Sequence, residues 1–229
     1  MRRRPRLYFS FRSPYSWMTV QRLRGAVPDL FSRFDVLPYW DPDAATAAAL
    51  AEHGAELPYQ QMSKAKHLYV LADTKRAAAR LGLRMAWPVD IDPWWELPHL
   101  GWLAARRHGL AERCYDALVS ARWGTGADIC DREVFGKVCA DAGLPAETLA
   151  AAPERADIRA EGVGCLLAAY EDDVFGVPYL LLGRHRFWGL DRVDAFLEEL
   201  SRAESSAVPP VPAAIPVGAY DRDTAGGCG

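Results

Sequence analysis

The 229-residue sequence predicts an α/β fold in which one small sheet is built from both ends of the chain. The first 40 residues alternate strand, helix and strand, whereas residues 174–203 have the pattern of strand, turn, strand and helix. Residues 41–173 between them show helical periodicity with glycine stops. We therefore predict a discontinuous α/β domain, 1–40 and 174–203, a helical insertion, 41–173, and a Pro-, Ala- and Gly-rich tail, 204–229.

The N-terminal half opens with a predicted strand over Arg6–Ser10, whose alternate side chains face opposite ways. Ser13 followed by Pro14 is the pair expected at the N-cap and first position of a helix, and the spacing extends that helix toward Gly25. A segment rich in β-formers, Phe34–Tyr39, comes next. Because a helix separates the two strands, we expect them to pair in parallel.

The central block has the pattern of successive helices separated by glycine or proline. Asp41 and Pro42 are typical of a helix start, and they precede an alanine-rich segment that ends at Gly54. A proline-punctuated loop over residues 87–93 carries Asp90. The other predicted helices run over residues 64–81, 97–108, 112–123, 131–142, 146–151 and 155–171.

The C-terminal half predicts a buried hairpin that leads into a final helix. Leu180–Leu182 is the continuous apolar run of a strand covered on both faces, and Pro178 suits the first position of that strand. Gly183 predicts the turn, and Asp191 suits the N-cap of the amphipathic helix that follows. Backbone N–H groups at such a helix start can hold a carboxylate-bearing ligand.

Composition and cysteine usage exclude several classes of protein. A formal net charge of −3 gives no electrostatic case for binding nucleic acid or an anionic membrane surface. No apolar run approaches the ~20 residues of a membrane span, and no secretory signal follows the basic N-terminal residues. The five cysteines form no C-x-x-C pair and no metal-ligand spacing. We expect a cytoplasmic protein without a metal site.

The order of the predicted elements is that of a thioredoxin-like fold with a large all-helical insertion. Where thioredoxin-like enzymes begin the first helix with C-x-x-C, this chain has Ser13, Pro14, Tyr15 and Ser16. The chain resembles the 2-hydroxychromene-2-carboxylate isomerases and kappa-class glutathione transferases, which are DsbA-like. The segments that carry the resemblance lie in family order within residues 6–203, and they are residues 9–16, 66–69, 123–124, 174–178 and 187–192.

The resemblance implies a thiol cofactor, either glutathione or another low-molecular-weight thiol. A serine cannot exchange disulfides, but Ser13 can donate a hydrogen bond to a thiolate, which the helix dipole also favours. Without the resemblance, Ser13 would be interpreted as a helix cap alone. The family also implies a cis bond between Val177 and Pro178, with the Val177 backbone paired to the bound thiol peptide. Only ~5% of X-Pro bonds are cis otherwise.

Further cofactor contacts follow from the resemblance. Backbone N–H groups at the start of the last helix would take a carboxylate of the cofactor. Asp191 would accept a hydrogen bond from its ammonium group, or else only cap the helix. The lysines of the second predicted helix of the insertion would either contact a cofactor carboxylate or lie on a solvated face. The residues concerned are Gly189, Leu190, Asp191, Lys64 and Lys66.

Substrate contacts are expected beside Ser13. The resemblance implies that Asp90, in a Pro-x-Asp sequence, reaches the active-site cleft. A carboxylate at this position would repel an anionic substrate, which argues against an unchanged chromene-carboxylate specificity. The other predicted substrate-binding residues are Arg12, Tyr15, Trp40, Asp41 and Trp123.

The resulting prediction is a thiol-dependent cis–trans isomerase of a conjugated or aromatic small molecule. The thiolate would add to an activated double bond, the resulting single bond would rotate, and elimination would restore the double bond. Two alternatives use the same cleft. One is a kappa-type glutathione transferase, which releases a stable conjugate, and the other is a non-catalytic ligand-binding accessory protein of a biosynthetic pathway. The family's tendency to dimerise is compatible with a homodimer.

Overall fold

The computed structural model describes residues 4–57 and 63–205. They form a four-stranded sheet with helices packed on it and a larger group of helices beside it. The strands are β1 (Arg6–Phe9), β2 (Asp35–Pro38), β3 (Tyr179–Leu182) and β4 (His185–Trp188), and the α-helices are α1 (Pro14–Ala26), α2 (Leu30–Arg33), α3 (Ala44–Glu52), α4 (Lys64–Arg80), α5 (Glu96–Arg107), α6 (Ala111–Val119), α7 (Arg132–Asp141), α8 (Ala146–Ala150), α9 (Ala156–Glu171) and α10 (Val193–Ser205).

The sheet has the strand order β2-β1-β3-β4 and is mixed. Strand β1 pairs in parallel with β2, as predicted, and antiparallel with β3, while β3 and β4 form an antiparallel hairpin. Leu7 of β1 lies between Val36 of β2 and Leu180 of β3. The two ends of the chain therefore meet at the centre of the sheet, and the loop after β1 lies close to the segment that precedes β3.

Both faces of the sheet are covered, which explains the continuous apolar character of its central strands. Leu7 and Phe9 are fully buried in the main hydrophobic core, which extends through most of the helices. Tyr8 points the other way, into a smaller cluster with Leu181 and with Ala169 of α9. The predicted alternation of β1 is confirmed.

Helix α5 joins the helical block to the sheet. Its Trp102 is fully buried and makes an edge-to-face contact with Phe9, with the ring centroids 5.2 Å apart. Gly101 allows α7 to approach closely, because a Cβ atom there would lie 2.5 Å from the ring of Phe135. The helical block therefore packs on the same core as the sheet, and this common core fixes the loops around Ser13.

Several element boundaries differ from the predicted ones for identifiable reasons. The first helix of the insertion is capped by Asp43 rather than by Asp41 and Pro42, because the Asp43 carboxylate accepts from the N–H of Thr46 at 2.9 Å. The helix predicted over 112–123 ends at Val119 and continues as a π turn, Ser120–Thr125.

The last helix also starts differently from the prediction. A 3₁₀ turn, Leu190–Arg192, precedes α10, and its N-cap is Gly189. Asp191 lies inside this turn, so its assignment as the N-cap is wrong. Helix α10 continues to Ser205, past the predicted start of the tail, and residues 206–229 lie outside the described residues. Among residues 4–57 and 63–205, no helix is long and apolar enough to span a bilayer.

Candidate active site

Ser13 lies at the N-terminus of α1, in the turn that follows β1. Its hydroxyl oxygen accepts a hydrogen bond from the backbone N–H of Ser16 at 3.1 Å, and Pro14 occupies the first turn. Both features were predicted and are confirmed. The same hydroxyl donates to the carbonyl oxygen of Val177 at 3.4 Å, which brings the two halves of the chain together. The hydroxyl proton therefore points across a gap between the start of α1 and the segment before β3.

A buried histidine, His99, binds the backbone of the Ser13 turn. Nε2 of His99 accepts from the backbone N–H of Phe11 at 3.1 Å and lies 3.4 Å from Oγ of Ser10. Nδ1 of His99 lies 2.7 Å from the carbonyl oxygen of Trp95, so Nδ1 carries the proton. Burial lowers the pKa of His99 to about 3, which keeps the ring neutral. His99 thus fixes the backbone two residues before Ser13.

The bond between Val177 and Pro178 is cis, as the resemblance implied. The carbonyl oxygen of Pro178 accepts from the N–H of Gly189 at 3.0 Å, which ties this segment to the turn before α10. Gly189 has φ 100° and ψ 160°, a conformation essentially restricted to glycine. A Cβ atom there would also lie 2.8 Å from a carboxylate oxygen of Asp191. This glycine therefore sets the spacing between Pro178 and the Leu190–Arg192 turn.

A cleft of about 900 Å³ lies beside Ser13 and is called the thiol cleft below. It brings together all five predicted cofactor-binding residues from the C-terminal half. Leu190 lies partly buried in its wall and packs on the main core. The lining residues are Tyr15, Arg22, Tyr69, Asp73, Ala77, Arg80, Leu81, Val177, Pro178, Trp188, Gly189, Leu190, Asp191 and Arg192.

Tyr15 lines the thiol cleft, although it was predicted to contact the substrate. Its hydroxyl donates to the Asp73 carboxylate at 2.7 Å. Burial and this bond raise the pKa of Tyr15, while the same bond lowers the pKa of Asp73. Tyr15 therefore lines the same cleft as the predicted cofactor residues, and its contact with the substrate stays a prediction.

Positive charge surrounds the thiol cleft. Arg22, Arg80 and Arg192 all line it, from α1, α4 and the turn before α10. Arg22 pairs with Asp194 and Arg192 with Asp191, whose side chains are 69% and 72% exposed. Pairs of this kind contribute little in water, so the guanidinium groups can take a new anionic partner at small cost.

The two lysines of α4 occupy different positions relative to the thiol cleft. Both are exposed and lie in the first turn of the helix. Lys66 precedes Tyr69 by three residues and therefore lies on the helix face that lines the cleft. Lys64 precedes Tyr69 by five residues and lies off this face. Helix geometry thus favours Lys66 as the cofactor contact and argues against Lys64.

On the opposite side of Ser13, the predicted substrate residues take part in ion pairs or pack in the core. Arg12 pairs with Asp41, and burial raises the pKa of Asp41. Asp90 accepts two hydrogen bonds of 2.8 Å each from the guanidinium of Arg122, whose side chain is 2% exposed. This guanidinium lies 4.8 Å from the ring centroid of Trp95 and 4.8 Å from that of Trp123.

The two predicted tryptophans have different environments. Trp40 stacks on His99 with 5.1 Å between ring centroids, and it lines a second pocket described below. Trp123 is 1% exposed and packs between Trp17 and Trp87. A direct contact between Trp123 and a substrate is therefore wrong, because the indole supports Arg122 from inside the core.

Sequence reasoning missed three residues that shape the site. Arg122 gave no signal, because its partner Asp90 lies 32 residues away in an irregular loop. His99 was not among the predicted site residues, although it binds the backbone of the Ser13 turn. Asp73 was detectable in principle, because it follows Tyr69 by one helical turn on the same face.

A comparison with known proteins identifies the family. A profile of the DSBA-like thioredoxin domain matches residues 6–201, so the chain belongs to the DSBA-like thioredoxin family. Its sequence is similar to 2-hydroxychromene-2-carboxylate isomerase from Sphingobium xenophagum, with 29% identity over 193 residues, 83% of this chain and 94% of that protein. The enzyme of the same name from Pseudomonas putida is 27% identical over 194 residues, 81% of this chain and 88% of that protein.

The solved structures agree with the sequence relatives. A crystallised 2-hydroxychromene-2-carboxylate isomerase has a TM-score of 0.69 to this chain at 22% identity, and the match covers 89% of this chain and 99% of that one. The predicted α/β, thioredoxin-like fold with a helical insertion is confirmed, and so is the resemblance to the 2-hydroxychromene-2-carboxylate isomerases.

The thiol cleft has features that fit a small peptide thiol. Its volume of about 900 Å³ lies within the range of ordinary ligand pockets. The Val177 carbonyl receives a long hydrogen bond of 3.4 Å from Ser13, which a bound backbone N–H can replace. The arginines around the cleft suit the carboxylates of such a molecule. Residues Ser13, Val177 and Gly189 to Arg192 would hold the cofactor.

Proposed function

We propose that this protein is a thiol-dependent isomerase of a conjugated small molecule, with glutathione as the first candidate for the thiol. One observation carries the proposal. The hydroxyl of Ser13, at the start of α1, faces the carbonyl of Val177 before a cis proline, across one wall of the thiol cleft. The similarity to two 2-hydroxychromene-2-carboxylate isomerases supports isomerisation as the reaction.

The main task of Ser13 is to stabilise negative charge on sulfur. Its oxygen accepts from the N–H of Ser16, and its proton makes only a long bond of 3.4 Å to the Val177 carbonyl, so the proton can turn to a partner in the cleft at small cost. Hydrogen bonds to charged groups contribute about 1.5–3 kcal/mol, and the positive end of the α1 dipole acts in the same direction. When bound, the thiol supplies a nucleophilic sulfur that adds reversibly to an activated double bond and so permits rotation.

The other residues of the cleft bind and orient the thiol. Backbone groups of Val177 would pair with the peptide portion, and the N–H groups of the Leu190–Arg192 turn would take a carboxylate. Arg22 and Arg80 would hold the other charged end. Because these contacts fix the sulfur relative to Ser13, most of the rate enhancement would come from positioning and charge stabilisation.

The proposal is tested by turnover with and without thiol. The purified protein is assayed with 2-hydroxychromene-2-carboxylate and with its methyl ester, in the presence and absence of glutathione, and total thiol is titrated before and after the reaction. We expect isomerisation of at least one compound that requires thiol and leaves total thiol unchanged. Loss of thiol in step with turnover would indicate a transferase, and absence of turnover with bound ligand would indicate an accessory protein.

A matched pair of variants isolates the role of Ser13. Ser13→Ala removes the proposed thiolate contact and a helix cap, whereas Ser63→Ala removes only the equivalent cap of α4, where Ser63 accepts from the N–H of Lys66. Each lost cap costs about 1 kcal/mol of stability. We expect turnover to fall about 10- to 100-fold in Ser13→Ala, as the loss of a charged hydrogen bond implies. Equal activity in the two variants would contradict the assignment.

A further inference from the structure

A second pocket, called the apolar pocket here, is lined by residues of α3 and of the segments that follow β2 and α3, and it shares no lining residue with the thiol cleft. Its volume is about 490 Å³. Most of its walls are hydrocarbon, and the charged groups among its lining residues are two carboxylates, Asp41 and Glu56. The lining residues are Tyr39, Trp40, Asp41, Pro42, Ala47, Leu50, Ala51, Ala55, Glu56 and Leu57. Such a pocket favours a hydrophobic ligand and disfavours an anionic one.

Asp41 connects this pocket to the catalytic turn, because it pairs with Arg12, the residue before Ser13. A ligand in the apolar pocket therefore lies next to the residue that we assign to the sulfur. Burial raises the pKa of Tyr39 to about 12, and the nearby Asp41 acts in the same direction, so the phenol stays neutral. The pocket thus contains no positive charge among its lining residues that could attract a carboxylate.

Arg12, the neighbour of Ser13 in sequence, and Arg122 are both already bound to carboxylates of the protein. Arg12 pairs with Asp41, and Arg122 pairs with Asp90 through two parallel hydrogen bonds. The Arg122 pair is connected to the turn through the core, because its guanidinium packs on Trp95, which contacts His99, and His99 binds the N–H of Phe11 beside Arg12. A substrate carboxylate would have to displace Asp90 from a guanidinium that is almost fully buried between two indoles.

The loop around Asp90 is also hydrophobic on its outer surface. Val89 and Ile91 flank Asp90 and are 74% and 77% exposed. Exposed apolar side chains next to a site are typical of a surface that contacts a hydrophobic ligand. The loop therefore presents hydrocarbon outward, while its carboxylate is used to neutralise Arg122.

We propose that the second reactant of this enzyme is an uncharged, hydrophobic molecule with a conjugated carbonyl group, and that Asp41 and Asp90 exclude substrates that carry a carboxylate. The inference rests on the proposed function for the identity of the reaction. The proposed substrate lacks the carboxylate that the names of the sequence relatives contain. The selectivity against a carboxylate is assigned to the Arg12–Asp41 and Arg122–Asp90 pairs.

A binding experiment without thiol tests the inference separately from the reaction. Isothermal titration calorimetry compares 2-hydroxychromene-2-carboxylate with its methyl ester, which differ by one charge. We expect the ester to bind the wild-type protein at least tenfold more tightly than the acid. Equal affinities, or tighter binding of the acid, would overturn the inference even if the protein is a thiol-dependent isomerase. Preferential binding of the ester without any thiol-dependent turnover would support the inference and contradict the proposed function.

Variants of Asp90 and Asp41 test whether the two ion pairs cause the preference for the ester over the acid. Asp90→Asn keeps hydrogen bonding to Arg122 but leaves a net positive charge, so the acid should gain affinity at least fivefold relative to the ester. Asp41→Asn should shift the ratio in the same direction, and it provides the test if Asp90→Asn fails to fold. The control is Asp141→Asn, which neutralises an exposed carboxylate paired with Lys137 on α7. An unchanged ratio in both site variants, or an equal shift in the control, would overturn the assignment.

Discussion

The ion pairs of the thiol cleft and the Arg122–Asp90 pair differ in how far they are exposed to solvent. The arginines of the thiol cleft pair with exposed carboxylates, such as Asp191 and Asp194. In contrast, the Arg122–Asp90 pair among the predicted substrate residues has a guanidinium that is 2% exposed. Exposed pairs contribute about 0–1 kcal/mol, whereas breaking a buried pair costs about 3–5 kcal/mol.

This difference shows how one catalytic turn can serve two unlike reactants. On the thiol cleft side, charges are exchangeable, so an ionic cofactor can bind and leave. On the other side, the guanidinium of Arg122 is fixed in the protein interior, and the apolar pocket offers hydrocarbon to an uncharged molecule. Ser13 contacts Val177 of the thiol cleft and follows Arg12, which pairs with Asp41 of the apolar pocket. The following experiments perturb the thiol cleft and the Ser13 turn.

The largest expected effect on the thiol cleft comes from Gly189→Ala. A side chain at φ 100° is strained by about 1–3 kcal/mol, and its Cβ would collide with Asp191. Because Gly189 donates to the Pro178 carbonyl, we expect the turn to move and the KM for glutathione to rise about tenfold or more. Steady-state kinetics with varied glutathione measure this change.

The control for Gly189→Ala is Gly183→Ala in the same hairpin. Gly183 also has a positive φ, 61°, but a Cβ atom there meets open space. It should lose about 1 kcal/mol of stability and keep the wild-type KM for glutathione. A similar rise in KM in both variants would indicate that backbone strain, rather than the position of Gly189 at the cleft, is responsible.

The next effect concerns His99, which binds the backbone of the Ser13 turn, and it is measured as the change in stability when the pH is lowered. His99 has a folded pKa of about 3, below its ordinary value of about 6.5 in the unfolded chain. Its stabilising contribution is therefore fully present above pH ~6.5 and is lost as the pH falls toward 3, at about 1.4 kcal/mol per pH unit.

His99→Gln removes this proton linkage while an amide oxygen can still accept from Phe11. In urea unfolding at pH 7, 6, 5 and 4, the variant should lose less stability on acidification than the wild-type protein. We also expect turnover at pH 7 to fall roughly tenfold, because a small shift of Ser13 disturbs positioning. Identical pH dependence of unfolding in both proteins would contradict a neutral, buried His99.

The smallest effect distinguishes the two lysines of α4. Lys66→Ala should raise the KM for glutathione about two- to fivefold, as expected for an exposed charge contact, and the effect should weaken at high salt. Lys64→Ala, on a different helix face, should change it less than about twofold. Equal effects in both variants would show that the helix start acts only through its overall charge.

Local sequence patterns predicted the fold correctly where a residue type or an apolar run is typical of one kind of backbone structure. Ser13 with Pro14 marked the start of α1, and the apolar run Leu180–Leu182 marked a strand covered on both faces. The cis bond before Pro178 could not be predicted from local sequence, because most X-Pro bonds are trans and only the resemblance indicated a cis bond. The cap of α3 was missed because Asp41 and Asp43 are both good caps, and the tertiary contact of Asp43 with Arg159 favours the second.

The site was predicted less completely, because its partners are distant in sequence. Tyr15 contacts Asp73 over 58 residues, and Phe11 contacts His99 over 88. No periodicity connects such pairs, so neither could be inferred from local patterns. Trp123 shows the opposite error, since a residue in a matching segment was taken for a surface contact but supports Arg122 in the core.

The most direct test of the account is the pKa of the bound thiol. Ultraviolet titration near 240 nm detects the thiolate of glutathione bound to the protein, and a free thiol titrates at about 8.5. We expect the bound pKa to lie at least about one unit lower in the wild-type protein and in Ser63→Ala, and to rise by about one unit in Ser13→Ala, because the loss of a charged hydrogen bond of 1.5–3 kcal/mol implies such a change. A bound thiol pKa that is the same in Ser13→Ala and the wild-type protein would contradict the central role of Ser13.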